Sequence, residues 1–290
     1  MIKVIVPSTT ANIGTGFDTM GLALGLYNTF YVKKSSSKVK HDPLIDLTID
    51  NFLSYLDQKG IKKKYEYVDI TVNNDVPISR GLGSSATCIV GVLWGINELY
   101  DSPLTEKELL EIGIEIEGHP DNIVPCLYGG FKSSIMSKDK CLTIDHPICE
   151  ELQFISLIPN FTLSTKDSRD ALPGKLEYKD AVHNISRIPF LIEGFATGNL
   201  DMIKAGVEDK IHQPYRIGLI ENGKEIMKLI DKLYNLPIFI SGAGPTLMVV
   251  AKNDSHVYNE LRETFKSKFP DWDIKQLEVH KGSITIERME

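Results

Sequence analysis

Cysteine is scarce, and no spacing pairs what there is. The 290-residue chain has four, Cys88, Cys126, Cys141 and Cys149, with no C-x-x-C among them. That excludes a disulfide scaffold and a cysteine-built metal centre, and predicts reduced, mostly buried thiols. No apolar run reaches the roughly 18 residues that a membrane span needs. No lysine and arginine tract is long enough to follow a phosphate backbone, and the net charge of −7 argues against a nucleic-acid partner. The short run Lys62-Lys63-Lys64 reads as a solvated turn. There is no Walker A string G-x-x-x-x-G-K-[ST], no internal repeat and no low-complexity tract. The segment Met1–Val6 reads as a strand and lacks the long apolar core of a secretory leader. With 42% hydrophobic and 24% charged residues, the expectation is a cytoplasmic protein of one or two globular domains.

What is present is a glycine- and serine-rich loop opening into an apolar helical run. It reads Pro77-Ile78-Ser79-Arg80-Gly81-Leu82-Gly83-Ser84-Ser85-Ala86-Thr87 and continues to Tyr100. Glycines let a backbone turn tightly against a ligand, and a helix N-terminus offers unpaired N–H groups and a positive dipole end. Serine hydroxyls add donors and can reach a metal. The loop is therefore expected to hold phosphate. Gly81, Gly83 and Ala86 also fit the dinucleotide pattern G-x-G-x-x-[GA]. Their context does not, because Asn74-Asp75-Val76-Pro77 separates the strand from the loop.

Two more segments share this character. Near the start stands Pro7-Ser8-Thr9-Thr10-Ala11-Asn12-Ile13-Gly14-Thr15-Gly16-Phe17-Asp18, and far downstream Ser241-Gly242-Ala243-Gly244-Pro245. Together with the loop they resemble, in order, the three motifs of the GHMP kinases, in the form found in homoserine kinases. The resemblance spans Val6 to about Val250. It implies an α+β, two-lobed GHMP kinase fold. The N-terminal lobe, 1–150, would bind nucleotide and contain a left-handed βαβ crossover. The C-terminal lobe, 151–290, would be ferredoxin-like, with the substrate cleft between the two.

The residue patterns alone support two lobes. Ile2–Pro7, Thr29–Lys33 and Val68–Val72 read as strands, and Ser84–Tyr100 as a buried helix. Thr105-Glu106-Lys107-Glu108 has capping-box form and opens a helix to about Glu117. Beyond Glu150, helices are expected over Asp180–Thr197, Asn199–His212, Ile220–Tyr234 and Val257–Lys268. Strands are expected at Phe154–Pro159, on either side of the glycine turn, and at Ser283–Arg288.

The resemblance also implies a site. Its activity would be ATP-dependent, Mg²⁺-dependent phosphorylation of L-homoserine to O-phospho-L-homoserine, a step in threonine biosynthesis. Pro77 to Thr87 would bind ATP. Ser85 and a helix-end carboxylate would hold Mg²⁺; helix alignment favours Glu115 and proximity to the loop favours Glu117. His119 and Asn122 belong to Glu115-Ile116-Glu117-Gly118-His119-Pro120-Asp121-Asn122, which resembles the family element E-x-E-G-…-H-x-D-N, and would contact the substrate. Asn12 would bind the acceptor hydroxyl and Asp18 the substrate ammonium. Arg169, in Leu163-Ser164-Thr165-Lys166-Asp167-Ser168-Arg169, and Arg216, in His212-Gln213-Pro214-Tyr215-Arg216, would clamp the substrate carboxylate. Asn12, Thr165 and Arg216 are the expected catalytic residues. No general base is evident, since Asn122 cannot take a proton. A homodimer is expected from the family alone. Two alternatives stay open at this point, another acceptor such as mevalonate or shikimate and a non-catalytic nucleotide-binding relative; an NAD-binding protein fails on the context of the loop.

Overall fold

The computed structural model describes residues 1–138, 140–253 and 255–290. The first half runs β1 (Ile2–Ala11), β2 (Met20–Ser35), α1 (Pro43–Gln58), β3 (Tyr67–Asn74), α2 (Ser84–Leu99), α3 (Glu106–Glu117), α4 (Pro120–Tyr128), β4 (Phe131–Ser137) and β5 (Lys140–His146). The second runs β6 (Leu152–Pro159), α5 (Thr165–Asp170), α6 (Tyr178–Thr197), α7 (Leu200–Gly206), α8 (Gln213–Arg216), α9 (Gly223–Tyr234), β7 (Ile238–Ile240), β8 (Leu247–Lys252), α10 (Ser255–Lys268), β9 (Trp272–Leu277) and β10 (Thr285–Arg288).

Two antiparallel sheets organise the chain. The first has six strands in the order β10-β1-β2-β4-β5, with β3 also pairing β2. β2 is long enough for this: Asn28–Ser35 pair with β3 and Met20–Leu22 with β4. The second sheet has the order β7-β8-β6-β9. Counted along the chain from β6, that is the 4-1-3-2 order of a ferredoxin-like arrangement. The chain changes sheet between β5 and β6, yet its last strand returns to pair with β1, Ile2 opposite Arg288. Residues 285–288 thus belong to the first sheet.

Local chemistry explains the elements that position the site. α2 is apolar almost all round, and Ile89 to Asn97 are buried between the sheet and the other helices. α3 begins at the expected capping box, with Thr105 and Glu108 bonded reciprocally. α1, not anticipated, begins at Asp42, whose carboxylate accepts from the Leu44 N–H, with Pro43 at the first helical position. The helix expected over Asn199–His212 stops at Gly206. The Asp209 carboxylate accepts the N–H groups of Ile211, His212 and Gln213 and starts the short α8 instead. One apolar cluster crosses between the lobes, joining Ile13, Met20 and Leu22 to Phe154, Phe195 and Met248, so both walls of the cleft share a core.

Candidate active site

A cavity of about 310 Å³ opens where the three glycine-containing segments meet. The backbone knits them. The Thr9 N–H donates to the Leu82 carbonyl and the Gly242 N–H to the Ala11 carbonyl. Ser241 Oγ lies 2.8 Å from Thr10 Oγ1 and 2.7 Å from the Gly81 carbonyl. Gly81 and Gly83 are required by this packing, with φ of +75° and +70°. A Cβ on Gly81 would stand 2.3 Å from the Ser241 carbonyl oxygen, and one on Gly83 2.0 Å from Thr9 Oγ1. The glycines therefore let the loops touch one another, as well as any ligand.

Gly83 caps α2 in the left-handed region with no side-chain cap, and the first turn carries no acidic residue. The N–H groups there are left for an anion. Ile78, Ser79, Arg80, Gly81, Gly83, Ser84 and Ser85 line the cavity; Pro77, Leu82, Ala86 and Thr87 do not. Leu82 and Ala86 are fully buried in the core, and Thr87 accepts from the Asn28 amide and donates to the Ser84 carbonyl. Those four are scaffold. Arg80 spends its guanidinium on the carbonyls of Ile78, Pro159 and Asn160, and so pins the loop to the second lobe.

The two carboxylates at the end of α3 separate cleanly. Glu117 lines the cavity and accepts from Ser85 Oγ at 2.7 Å. Burial raises its carboxyl above the usual range, with the Ser85 bond pulling the other way. Glu115 is exposed and off the cavity. Residues two apart on a helix do not share a face, so only one could point inward. Of the two carboxylates left open by the sequence, this geometry favours Glu117. A hydroxyl and a carboxylate oxygen are hard donors of the kind Mg²⁺ takes, so Ser85 and Glu117 fit the metal.

At the other end of the cavity stand Asn12, Asp18, His119, Asn122, Thr165, Arg169 and Arg216. Arg169 holds Asp18 through two bonds of 3.0 Å each. Arg216 is 2% exposed and forms no ion pair among the described residues. Its guanidinium donates to the carbonyls of Ser168 and Gly242. Burial pulls it down to about 10, so it stays charged at neutral pH. His212, fully buried, donates from Nε2 to the Gly14 carbonyl and faces Arg216 with Nδ1. Phe17 lies under both cations, its ring 5.1 Å from the Arg216 guanidinium carbon and 6.0 Å from that of Arg169.

Asn12 is already engaged: its amide donates to the Gly242 carbonyl at 2.7 Å and its oxygen accepts from the Asp18 N–H. It ties the first motif to the third. The Asn122 oxygen accepts from Thr9 Oγ1 at 2.7 Å. His119 meets the Asp121 carboxylate through Nδ1. Burial pushes His119 down, but Asp121, with Glu117 and Asp18, raises it further, and the net shift is upward. Asp121 is 1% exposed, and its second oxygen has no hydrogen-bond partner among the described residues. Phe17 and Asp121 stood inside quoted motifs without an assigned role.

The far wall is formed by Asp42, Leu44, Ile45, Val72 and Asn74. These residues lie at the start of α1 and along β3, on either side of the segment that joins them. The Asp42-Pro43 helix start was the signal that could have found them. Cys88 also lines this wall, and burial pushes its thiol up to about 12, which removes it as a nucleophile.

Comparison with known proteins gives the same architecture. Residues 48–130 match the model of the GHMP kinases N terminal domain, and residues 191–267 that of the GHMP kinases C terminal region. A homoserine kinase of Clostridium botulinum (strain Langeland) is 39% identical over 298 residues, covering 99% of each chain. The crystal structure of homoserine kinase from Cytophaga hutchinsonii superposes with a TM-score of 0.84 at 25% identity, covering 99% of this chain and 97% of that one. A mevalonate diphosphate decarboxylase from Staphylococcus aureus reaches 0.71 at 15% identity, with 99% of both chains covered, and shares the fold alone.

Proposed function

This chain belongs to the GHMP kinase family, and we propose that it transfers the γ-phosphoryl group of ATP to the side-chain hydroxyl of L-homoserine, giving O-phospho-L-homoserine for threonine biosynthesis. The observation that carries the choice of acceptor is the charge pattern around Phe17. Arg216 is a buried cation with no ion pair of its own among the described residues; the Asp18 carboxylate, which acts on it, is bonded to Arg169. A desolvated, unpaired guanidinium is costly until an anion meets it. An α-amino acid supplies that anion together with a cation for Asp18. Mevalonate and shikimate bring no ammonium group.

The phosphates lie, in this reading, against the open N–H groups at the start of α2, with Ser84 beside them. Ser85 and Glu117 would hold Mg²⁺, which when bound neutralises phosphate charge. Arg216, with Arg169, holds the carboxylate, and Asp18 the ammonium. Thr165, which lines the cavity with them, faces the reacting hydroxyl in this reading. Asn12 acts chiefly by fixing the Gly242 and Asp18 backbones. Asn122 is held by Thr9 and offers an amide, which cannot accept a proton. Catalysis then rests on positioning and charge stabilisation, with the proton leaving to phosphate or solvent.

No described helix is long and apolar enough to cross a membrane. We place the protein in the cytoplasm on its four free thiols. A homodimer is also proposed, on the family and on the exposed apolar face of the β4–β5 hairpin, Ile135, Leu142 and Ile144.

An acceptor screen with ATP and Mg²⁺ tests the assignment. Homoserine should outperform serine, threonine, mevalonate and shikimate in kcat/KM. A better rate with either acceptor that lacks an ammonium group would overturn it.

A further inference from the structure

We propose that Arg169 is a specificity-determining residue that latches the acceptor site through Asp18, so that only a molecule carrying both charges can open it. The inference rests on the amino-acid reading above. Asp18 lies in the loop between β1 and β2, and Arg169 on α5; the fork-to-carboxylate pair therefore joins two separate walls of the cavity. Beside it, Arg216 has no carboxylate of its own among the described residues, and the Phe17 ring lies under both guanidinium groups. The site thus holds one bonded ion pair, Asp18 with Arg169, and a second guanidinium that feels the Asp18 charge without a bond to it.

That inventory sorts ligands by charge. A hydroxy acid can satisfy Arg216 and leave the Asp18–Arg169 pair intact. An amino alcohol finds Asp18 already neutralised and meets Arg216 as a like charge. A zwitterion trades the internal pair for two new ones, ammonium to Asp18 and carboxylate to Arg169 and Arg216. The two substrate charges are then energetically coupled, since each is fully used only when the other is present. Arg169 and Asp18 are 41% and 33% exposed at their side chains, so the pair is weak enough to be exchanged.

The test uses three probes: homoserine, 4-hydroxybutyrate (no ammonium) and 3-aminopropan-1-ol (no carboxylate). Their dissociation constants are measured on wild type, Arg169→Leu and Asp18→Asn. Each variant is checked for wild-type ATP affinity, which reports an intact fold. Removing Arg169 should improve binding of the amino alcohol on the order of tenfold, because a carboxylate is released and a repelling cation is lost. Removing the Asp18 charge should likewise tighten 4-hydroxybutyrate severalfold, because Arg169 is released. A clamp without a latch predicts no gain in either case. Unchanged or weaker binding of the amino alcohol to Arg169→Leu, in a protein that phosphorylates homoserine, overturns the latch and leaves the proposed function standing. Should Arg169→Leu lose ATP binding, the Asp18→Asn comparison decides: no gain for 4-hydroxybutyrate overturns the latch by itself. Failure of wild type to use homoserine would instead remove the function on which the latch rests.

Discussion

The two ends of the cavity are built from different materials. The proposed phosphate end is backbone: glycines at positive φ, the uncapped N-terminus of α2 and loops packed too closely for a Cβ. The acceptor end is side chains from distant segments, with Asp18 and Arg169 separated by 151 positions and both Arg169 and Arg216 standing over Phe17. Backbone sites recognise a chemical group shared by many ligands, here phosphate. Side-chain sites recognise a particular arrangement of charges. The fold match to a mevalonate diphosphate decarboxylase illustrates the division, since a shared architecture does not determine the acceptor.

The largest expected effect breaks the phosphate end. Gly83→Val should abolish measurable ATP binding and lower Tm, because the new Cβ would stand 2.0 Å from Thr9 Oγ1 at a φ of +70°. The collision is with β1, so the loss should appear in thermal melts without ligand as well as in nucleotide titrations. A variant with normal Tm and normal ATP affinity would show that the loop can relax, against the packing argument.

Breaking the acceptor end should be severe but selective. Arg216→Leu should lower kcat/KM for homoserine roughly a hundredfold or more, as expected for a charge-assisted contact in a desolvated site. Arg216→Lys should recover only part, since a point charge lacks the planar fork. ATP affinity should hardly move. An equal loss of ATP affinity would mean that Arg216 serves both ends, which its bond to the Gly242 carbonyl makes a fair alternative outcome.

Glu117→Gln sharpens the comparison, because Glu117 lies between the two ends. It should cut kcat at fixed Mg²⁺ by roughly one to two orders of magnitude and raise the Mg²⁺ requirement. It should also stabilise the metal-free protein near neutral pH. Burial raises the folded carboxyl above its unfolded value, so the ionised form is penalised on folding. That penalty is present above the raised folded pKa and fades as pH falls through it. The Tm advantage of Glu117→Gln should fade over the same range; an advantage independent of pH would separate the effect from the charge. The smallest effect belongs to Glu115→Gln, which should leave kcat and the Mg²⁺ requirement within about twofold of wild type, as for a surface change.

Legibility in the sequence followed the same division. The phosphate loop, the capping box of α3, the buried α2 and the strands around the glycine turn could be read because each depends on neighbours within a few residues. α1 was missed although Asp42-Pro43 announces it, and with it the far wall of the cavity. The helix expected over Asn199–His212 failed because one carboxylate, Asp209, captured three backbone N–H groups, which periodicity does not register. Of the residues expected to bind ATP, Pro77, Leu82, Ala86 and Thr87 do not line the cavity that their loop borders. A motif records that a segment is needed, without saying which of its side chains turn inward.

By itself the sequence determined which groups are available: an uncapped glycine-serine helix start, a serine with two nearby carboxylates, and two arginines with an aspartate, to which the proposed function gives phosphate, metal and zwitterion. It could not determine which of these groups already satisfy one another. That Glu117 reaches Ser85 while Glu115 faces away follows from the helical phase of α3 against α2. Asp18 bonds Arg169, and Arg216 forms no ion pair among the described residues, because the β1–β2 loop, α5 and α8 are brought together by two sheets that share one apolar core. Charge pairing depends on distances of a few ångströms between segments far apart in the chain, and only the tertiary packing sets those.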